Sequence, residues 1–195
     1  MNVEIHLFRI EPINQDVRFE SVFDYIVLLG LAPFFEELVL RKFLGDKLLI
    51  HGEALYLSAS AFFFGLIHAP VTNWKVVLCT FYLGFLLAWI YAKTKSLATV
   101  YVYHALYNVI GGLLLTWIGR FVSPEAMGLY SLMIIALGLF GLILLIIKRR
   151  SIDIDGRPTL FWPRAWRAIL RTPGTYIFLL TGLIALIGFV SPFKP

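Results

Sequence analysis

The sequence predicts an all-α fold, a polytopic membrane helical bundle with about six transmembrane helices. Three observations point there. Of 195 residues, 59% are hydrophobic and 15% charged, with a mean hydropathy of +0.83; soluble domains run at roughly 45–50% apolar and about 25% charged. Six apolar stretches recur, each near the ~20 residues that carry a helix across a bilayer. Most charges fall in the short segments between those stretches.

Residues 1–21 mix Val3, Ile5, Leu7, Phe8 and Ile10 with Glu4, His6, Arg9 and Glu11. They are expected to form a short interfacial or soluble segment. They lack an apolar h-region, so no secretory signal is expected there. The six stretches then cover residues 22–44, 53–70, 74–92, 97–118, 126–147 and 175–191, as one transmembrane domain over 22–195. Gly45, Gly52, Pro70, Pro124, Pro173 and Gly174 punctuate the connections. The first four stretches are joined so closely that neighbours must run antiparallel.

The formal net charge is +5. In a soluble chain that would suggest nucleic acid. Here the lysines and arginines lie in connections and orient membrane helices, so the expected partner is the lipid bilayer and not nucleic acid. With six spans, one side carries Lys42, Lys47, Lys93, Lys95 and the seven basic residues from Lys148 to Arg171, 11 in all. The other side carries 5: Arg9, Arg18, Lys75, Arg120 and Lys194. The positive-inside rule places the first set in the cytosol and both termini outside. The stretch 148–173 holds Phe161, Trp162, Trp166, Ile169 and Leu170 among six arginines. It is read as a topogenic basic loop with tryptophans in the aromatic belt, in preference to a helix lying among the headgroups. The single cysteine, Cys79, cannot form an intramolecular disulfide.

Polar residues that apolar packing would not choose occur in only three of the six stretches. The first holds Glu36, Glu37 and Arg41, the second His68, the fourth His104 and Asn108. Glu37 and Arg41 are four apart and can neutralise each other on one helix face. They could also simply mark a helix end. Glu36 is turned about 100° away and has no partner on its own helix. An intramembrane charge costs roughly 2.5–3.5 kcal/mol on insertion scales, so an unpaired one points to function. His68 alone reads as an interface residue at a helix end. Asn108 alone reads as a helix–helix hydrogen bond worth about 0.6 kcal/mol. Structural accidents would scatter over all six stretches, and these residues do not.

A carboxylate and a histidine can hold and deprotonate a water. A second histidine with an amide can donate to an oxyanion. The set Glu36, His68 and His104 could equally hold Zn²⁺ with an open fourth position, so the expected cofactor is either none or one zinc ion. Pro33 removes a backbone donor one turn before Glu36 and frees the carbonyl of Leu29.

The pattern Glu-Glu-x-x-x-Arg (Glu36, Glu37, Arg41), Phe-x-x-x-His (Phe64, His68) and His-x-x-x-Asn (His104, Asn108) resembles the CAAX protease and bacteriocin-processing enzyme family of intramembrane endopeptidases. Ala32-Pro33, Ser60-Ala61, Gly65 and Ala105 flank the motifs in keeping with it, and the likeness covers about residues 30–112. It implies packed membrane helices with a site at bilayer depth. By it, Glu36 and His68 would activate the attacking water, His104 and Asn108 would form the oxyanion hole, and Glu37 and Arg41 would brace the first helix. It implies a membrane-associated peptide or protein substrate and a multi-pass location, expected in a bacterial or archaeal plasma membrane. Both metal-dependent and metal-free, glutamate-dependent mechanisms are proposed for such proteins. Lys42 departs from the pattern, standing where the family usually has a small residue. Two other classes fit part of the pattern: a non-catalytic binding, immunity or scaffold protein of the same fold, and a small transporter or proton relay. A transporter would more often show paired halves, and no internal repeat is present.

Overall fold

A computed structural model describes residues 22–69, 74–148, 154 and 162–190. Among them the chain folds into seven helices and no strand. The expected N-terminal segment 1–21 and the end of the chain after residue 190 lie outside the described residues.

Helix α1 covers residues 22–51. Its α-helical pieces, Val22–Ile26, Ala32–Glu37 and Leu44–Leu48, are joined by wide π turns at Val27–Leu31 and Leu38–Phe43. The helix runs through Gly45, where a break was expected. Gly45 is buried against the rings of Tyr91 and Tyr56, so the glycine serves helix contact and not a turn. The chain turns instead at Gly52, whose φ of 111° suits glycine. Helix α2 follows at once as Glu53–His68 and α3 as Trp74–Thr94. Lys95, at φ 53°, and Ser96 make a tight turn. The Ser96 hydroxyl accepts from the Thr99 amide at 3.2 Å and starts α4. Helix α4 covers residues 97–118, with a π turn at Val109–Leu113.

Helices α2 and α3 pack most extensively on each other. The core comprises Leu40 of α1; Tyr56, Leu57, Phe63 and Phe64 of α2; Leu83, Leu87, Ala88, Tyr91 and Ala92 of α3; and Val100 of α4. Lys93 of α3 clamps Glu53 at the start of α2 at 2.9 Å. Helix α5, Pro124–Ile147, begins with Ser123 capping the Ala126 amide and leaves most of its apolar side chains exposed. Its Tyr130 hydroxyl donates to the Ile110 carbonyl at 2.7 Å, inside the π turn of α4.

The basic stretch before the last helix departs from the expected loop. Trp162–Leu170 forms a helix, α6, with Ala165 buried and Trp166 edge-on to Phe62 at 5.5 Å. Its arginines 164 and 167 lie opposite that packed face, because i and i+3 share one side of a helix. Thr172 caps the last helix, α7, Pro173–Val190, and Phe178 of α7 meets Phe63 at 5.2 Å.

Among the described residues, two helical segments are long and apolar enough to cross a membrane by length and composition, Val76–Thr94 and Pro124–Gly141. Helix α1 carries Asp24, Glu36, Glu37, Arg41 and Lys42, and α2 has 16 residues.

Candidate active site

Glu36 and Glu37 occupy the last turn of the α-helical piece Ala32–Glu37, and Arg41 lies in the π turn that follows. Glu37 and Arg41 are fully buried, and Arg41 Nε lies 2.8 Å from Glu37 Oε2. The other Glu37 oxygen, Oε1, accepts from His104 Nδ1 at 2.8 Å. Glu37 therefore bridges α1 to α4, a contact that local spacing cannot reveal because the partner is 67 residues away. Arg41 reaches the other way. Its Nη1 donates to the buried Ser60 hydroxyl, and its guanidinium stands 5.2 Å over the Phe64 ring. The chain His104–Glu37–Arg41–Ser60 ties α1, α4 and α2 together at one level. Ser60 entered the sequence reading only as a flanking residue; its place one helical turn before Phe64 was the available signal.

Lys42, the departure from the family pattern, points out of this network. It is exposed and pairs with Asp46 at 2.8 Å.

Glu36 is half-buried and faces the same histidine from the other side. Its Oε2 lies 3.8 Å from His104 Nε2, beyond hydrogen-bond range. That oxygen is buried and has no hydrogen-bond partner among the described residues. His68 sits at the end of α2, with Nδ1 2.8 Å from the Phe64 carbonyl. A carbonyl only accepts, so Nδ1 carries the proton and the neutral ring has its lone pair on Nε2. By the same logic His104 Nδ1 donates to the Glu37 carboxylate, so Nε2 can donate only when the ring is an imidazolium.

Phe64 lies under the whole set. Its ring centroid is 5.0 Å from that of His68 and 5.4 Å from that of His104. Gly84 of α3 allows this position. A Cβ there would lie 2.7 Å from Phe64 Cβ.

Asn108 is on the His104 face of α4, and its Nδ2 donates to the Leu28 carbonyl of α1 at 3.0 Å. One of its two amide hydrogens is thereby committed to backbone. Tyr101, not singled out from the sequence, donates to the Leu29 carbonyl at 3.0 Å. That carbonyl is the one Pro33 was expected to free. Its spacing from His104 and Asn108, three and seven residues, was the overlooked signal.

The candidate zinc set Glu36, His68 and His104 is not assembled as a ligand shell. Among the described residues no three His, Cys, Asp or Glu side chains are disposed to hold a metal ion.

No curated protein and no solved structure matches the chain. Residues 18–110 match the family model of the type II CAAX prenyl endopeptidase Rce1-like proteins. The matched segment runs from before α1 into the π turn of α4 and contains Glu36, Glu37, Arg41, His68, His104 and Asn108. Its two carboxylates, two histidines and arginine are the groups just traced, and across this segment, a little under half of the chain, the protein is similar to the Rce1-like CAAX prenyl endopeptidases, a membrane-embedded protease family.

Proposed function

We propose that the protein is an intramembrane endopeptidase that hydrolyses a peptide bond of a membrane-associated, prenylated protein or peptide. Glu36 acts as general base, taking a proton from a water that His68 Nε2 also holds. The water oxygen attacks the scissile carbonyl. His104, held by Glu37 through Nδ1, donates as an imidazolium through Nε2 to the developing oxyanion. The remaining Asn108 amide hydrogen is the second donor. Collapse of the tetrahedral intermediate breaks the C–N bond, and the proton on Glu36 passes to the leaving amine. Glu37 and Arg41 position His104 and the first helix and do not touch substrate. No step is routed through a metal.

One observation carries this reading: a buried Glu36 oxygen without a hydrogen-bond partner, 3.8 Å from the outward nitrogen of a histidine whose inner nitrogen is held by a second carboxylate. Supporting residues rarely leave a buried carboxylate oxygen unsatisfied, whereas a base that must receive water or substrate does so by design. The wider organisation goes with it as part of the proposal. Residues 22–195 form one domain of six spans in a bacterial or archaeal plasma membrane, with α6 on the cytosolic face and both termini outside.

The test is cleavage of a farnesylated CAAX-type peptide by purified protein in lipid nanodiscs, with and without chelator. Glu36→Gln and His68→Ala are expected to abolish cleavage while keeping the wild-type thermal midpoint. Full activity in Glu36→Gln would overturn the mechanism. Tight binding of the peptide by wild-type protein with no cleavage would favour a non-catalytic binding protein on the same fold.

A further inference from the structure

Two main-chain carbonyls in α1, those of Leu28 and Leu29, border a missing donor. In α register the amide of residue 33 serves the carbonyl of residue 29; in π register it serves that of residue 28. Residue 33 is proline and has no N–H. Both registers matter here, because the Ala32 amide reaches back to Val27, five residues away, as the wide turn ends. Orphaned carbonyls at bilayer depth are costly unless another group satisfies them.

Helix α4 satisfies both. Tyr101 donates its hydroxyl to Leu29 and Asn108 its amide to Leu28, each at 3.0 Å. His104 lies between them on the same face and holds Glu37. One helix face therefore grips the backbone just before the catalytic turn and a side chain within it. The turn from Ala32 to Glu37 is fixed at both ends by α4, and Glu36 sits inside it.

We propose that Tyr101 is a positioning residue for the peptidase: its hydroxyl replaces the amide that Pro33 lacks, and so sets the rotation of the helix turn that aims Glu36 at His104. This rests on the reading of Glu36 as the base. Tyr101 touches neither substrate nor the attacking water. Simple helix glue would stabilise the fold equally well with or without Pro33. A stand-in for the missing amide should matter only while that amide is missing.

The experiment is a double-mutant cycle of Tyr101→Phe and Pro33→Ala in the full chain. It is read by kcat and KM on the farnesylated peptide and by the thermal midpoint in detergent. Tyr101→Phe removes only the hydroxyl. It is expected to lower kcat roughly two- to tenfold, the range set by one hydrogen bond, with KM unchanged, and to lower the midpoint. In the Pro33→Ala background the restored amide takes the Leu29 carbonyl, so the same change is expected to move kcat less than twofold and leave the midpoint unmoved. Additive effects at 33 and 101 would overturn the proposal. So would a raised KM at unchanged kcat, which would make Tyr101 a substrate contact. Should Glu36→Gln remain fully active, the protease mechanism fails while the midpoint cycle still reads the clamp, which keeps the two failures distinct.

Discussion

Replacing Arg41 by alanine tests the buried network most directly. The side chain is fully buried. It makes an ion pair with Glu37, a hydrogen bond to Ser60 and a cation–π contact with Phe64. Truncation leaves the Glu37 carboxylate buried with His104 as its one remaining polar contact among the described residues. Removing one partner of a buried pair typically costs about 3–5 kcal/mol, chiefly through the stranded charge. The charged hydrogen bond to Ser60, in the range of about 1.5–3 kcal/mol, is part of that figure and is not additional to it. The expected loss is therefore about 4 kcal/mol, a large share of a stability that is typically ~5–15 kcal/mol. Equilibrium unfolding in mixed micelles, followed by tryptophan fluorescence, measures it. The double variant Glu37→Gln/Arg41→Met is expected to recover much of the loss, since no unpaired buried charge remains, without recovering cleavage. An Arg41→Ala protein within about 1 kcal/mol of wild type would refute the reasoning, because the ion pair would then carry little of the stability its burial implies.

Gly84→Ala places a Cβ 2.7 Å from Phe64 Cβ and 3.2 Å from the Ala61 backbone. It is expected to destabilise by about 1–3 kcal/mol as an overpacked contact. It should also depress kcat, since Phe64 underlies both histidines; an unchanged melt and unchanged kinetics would contradict that packing. Topology is checked with Ala168→Cys on exposed α6 in a Cys79→Ser background. A membrane-impermeant maleimide is expected to label it only after the cells are opened, and labelling of intact cells would reverse the assigned orientation.

The local features were legible from spacing alone. Glu37 and Arg41 four apart, His104 and Asn108 four apart, and Pro33 before Glu36 are pairings that helical geometry dictates. The sequence could not show which helix answers which. Glu37 is shared with His104 across 67 residues and Arg41 with Ser60 across 19, and only packing decides such contacts. The π turns were missed because nothing in a leucine- and valine-rich run distinguishes an i+5 turn from an i+4 turn. Gly45 was taken as a break because glycine serves both turns and close approaches, and the rings of Tyr56 and Tyr91 that claim it lie on other helices. The stretch Trp162–Leu170 reads as loop from its sequence because its charges point to topology. The alternation that buries Ala165 and places Trp166 against Phe62 is short and flanked by proline and basic residues.

The wide turn at Val27–Leu31 also has a meaning for how this chain tolerates changes of length. A π turn holds one residue more than the α-helix around it, so it can lose that residue and close into an ordinary turn. A single deletion there would leave the residues upstream at nearly the same angle about the helix axis, because the extra residue is wound into that one turn. The downstream turn would stay put, because Glu37 and Arg41 are held by α4 and α2 rather than by their own helix. A deletion between Glu36 and Arg41 falls in the second wide turn, Leu38–Phe43, where Glu37 and Arg41 are held by different helices, so it changes the spacing of a pair fixed at both ends. Single-residue length variation is thus absorbable at the first wide turn, whereas at the second it disturbs a pair that other helices hold.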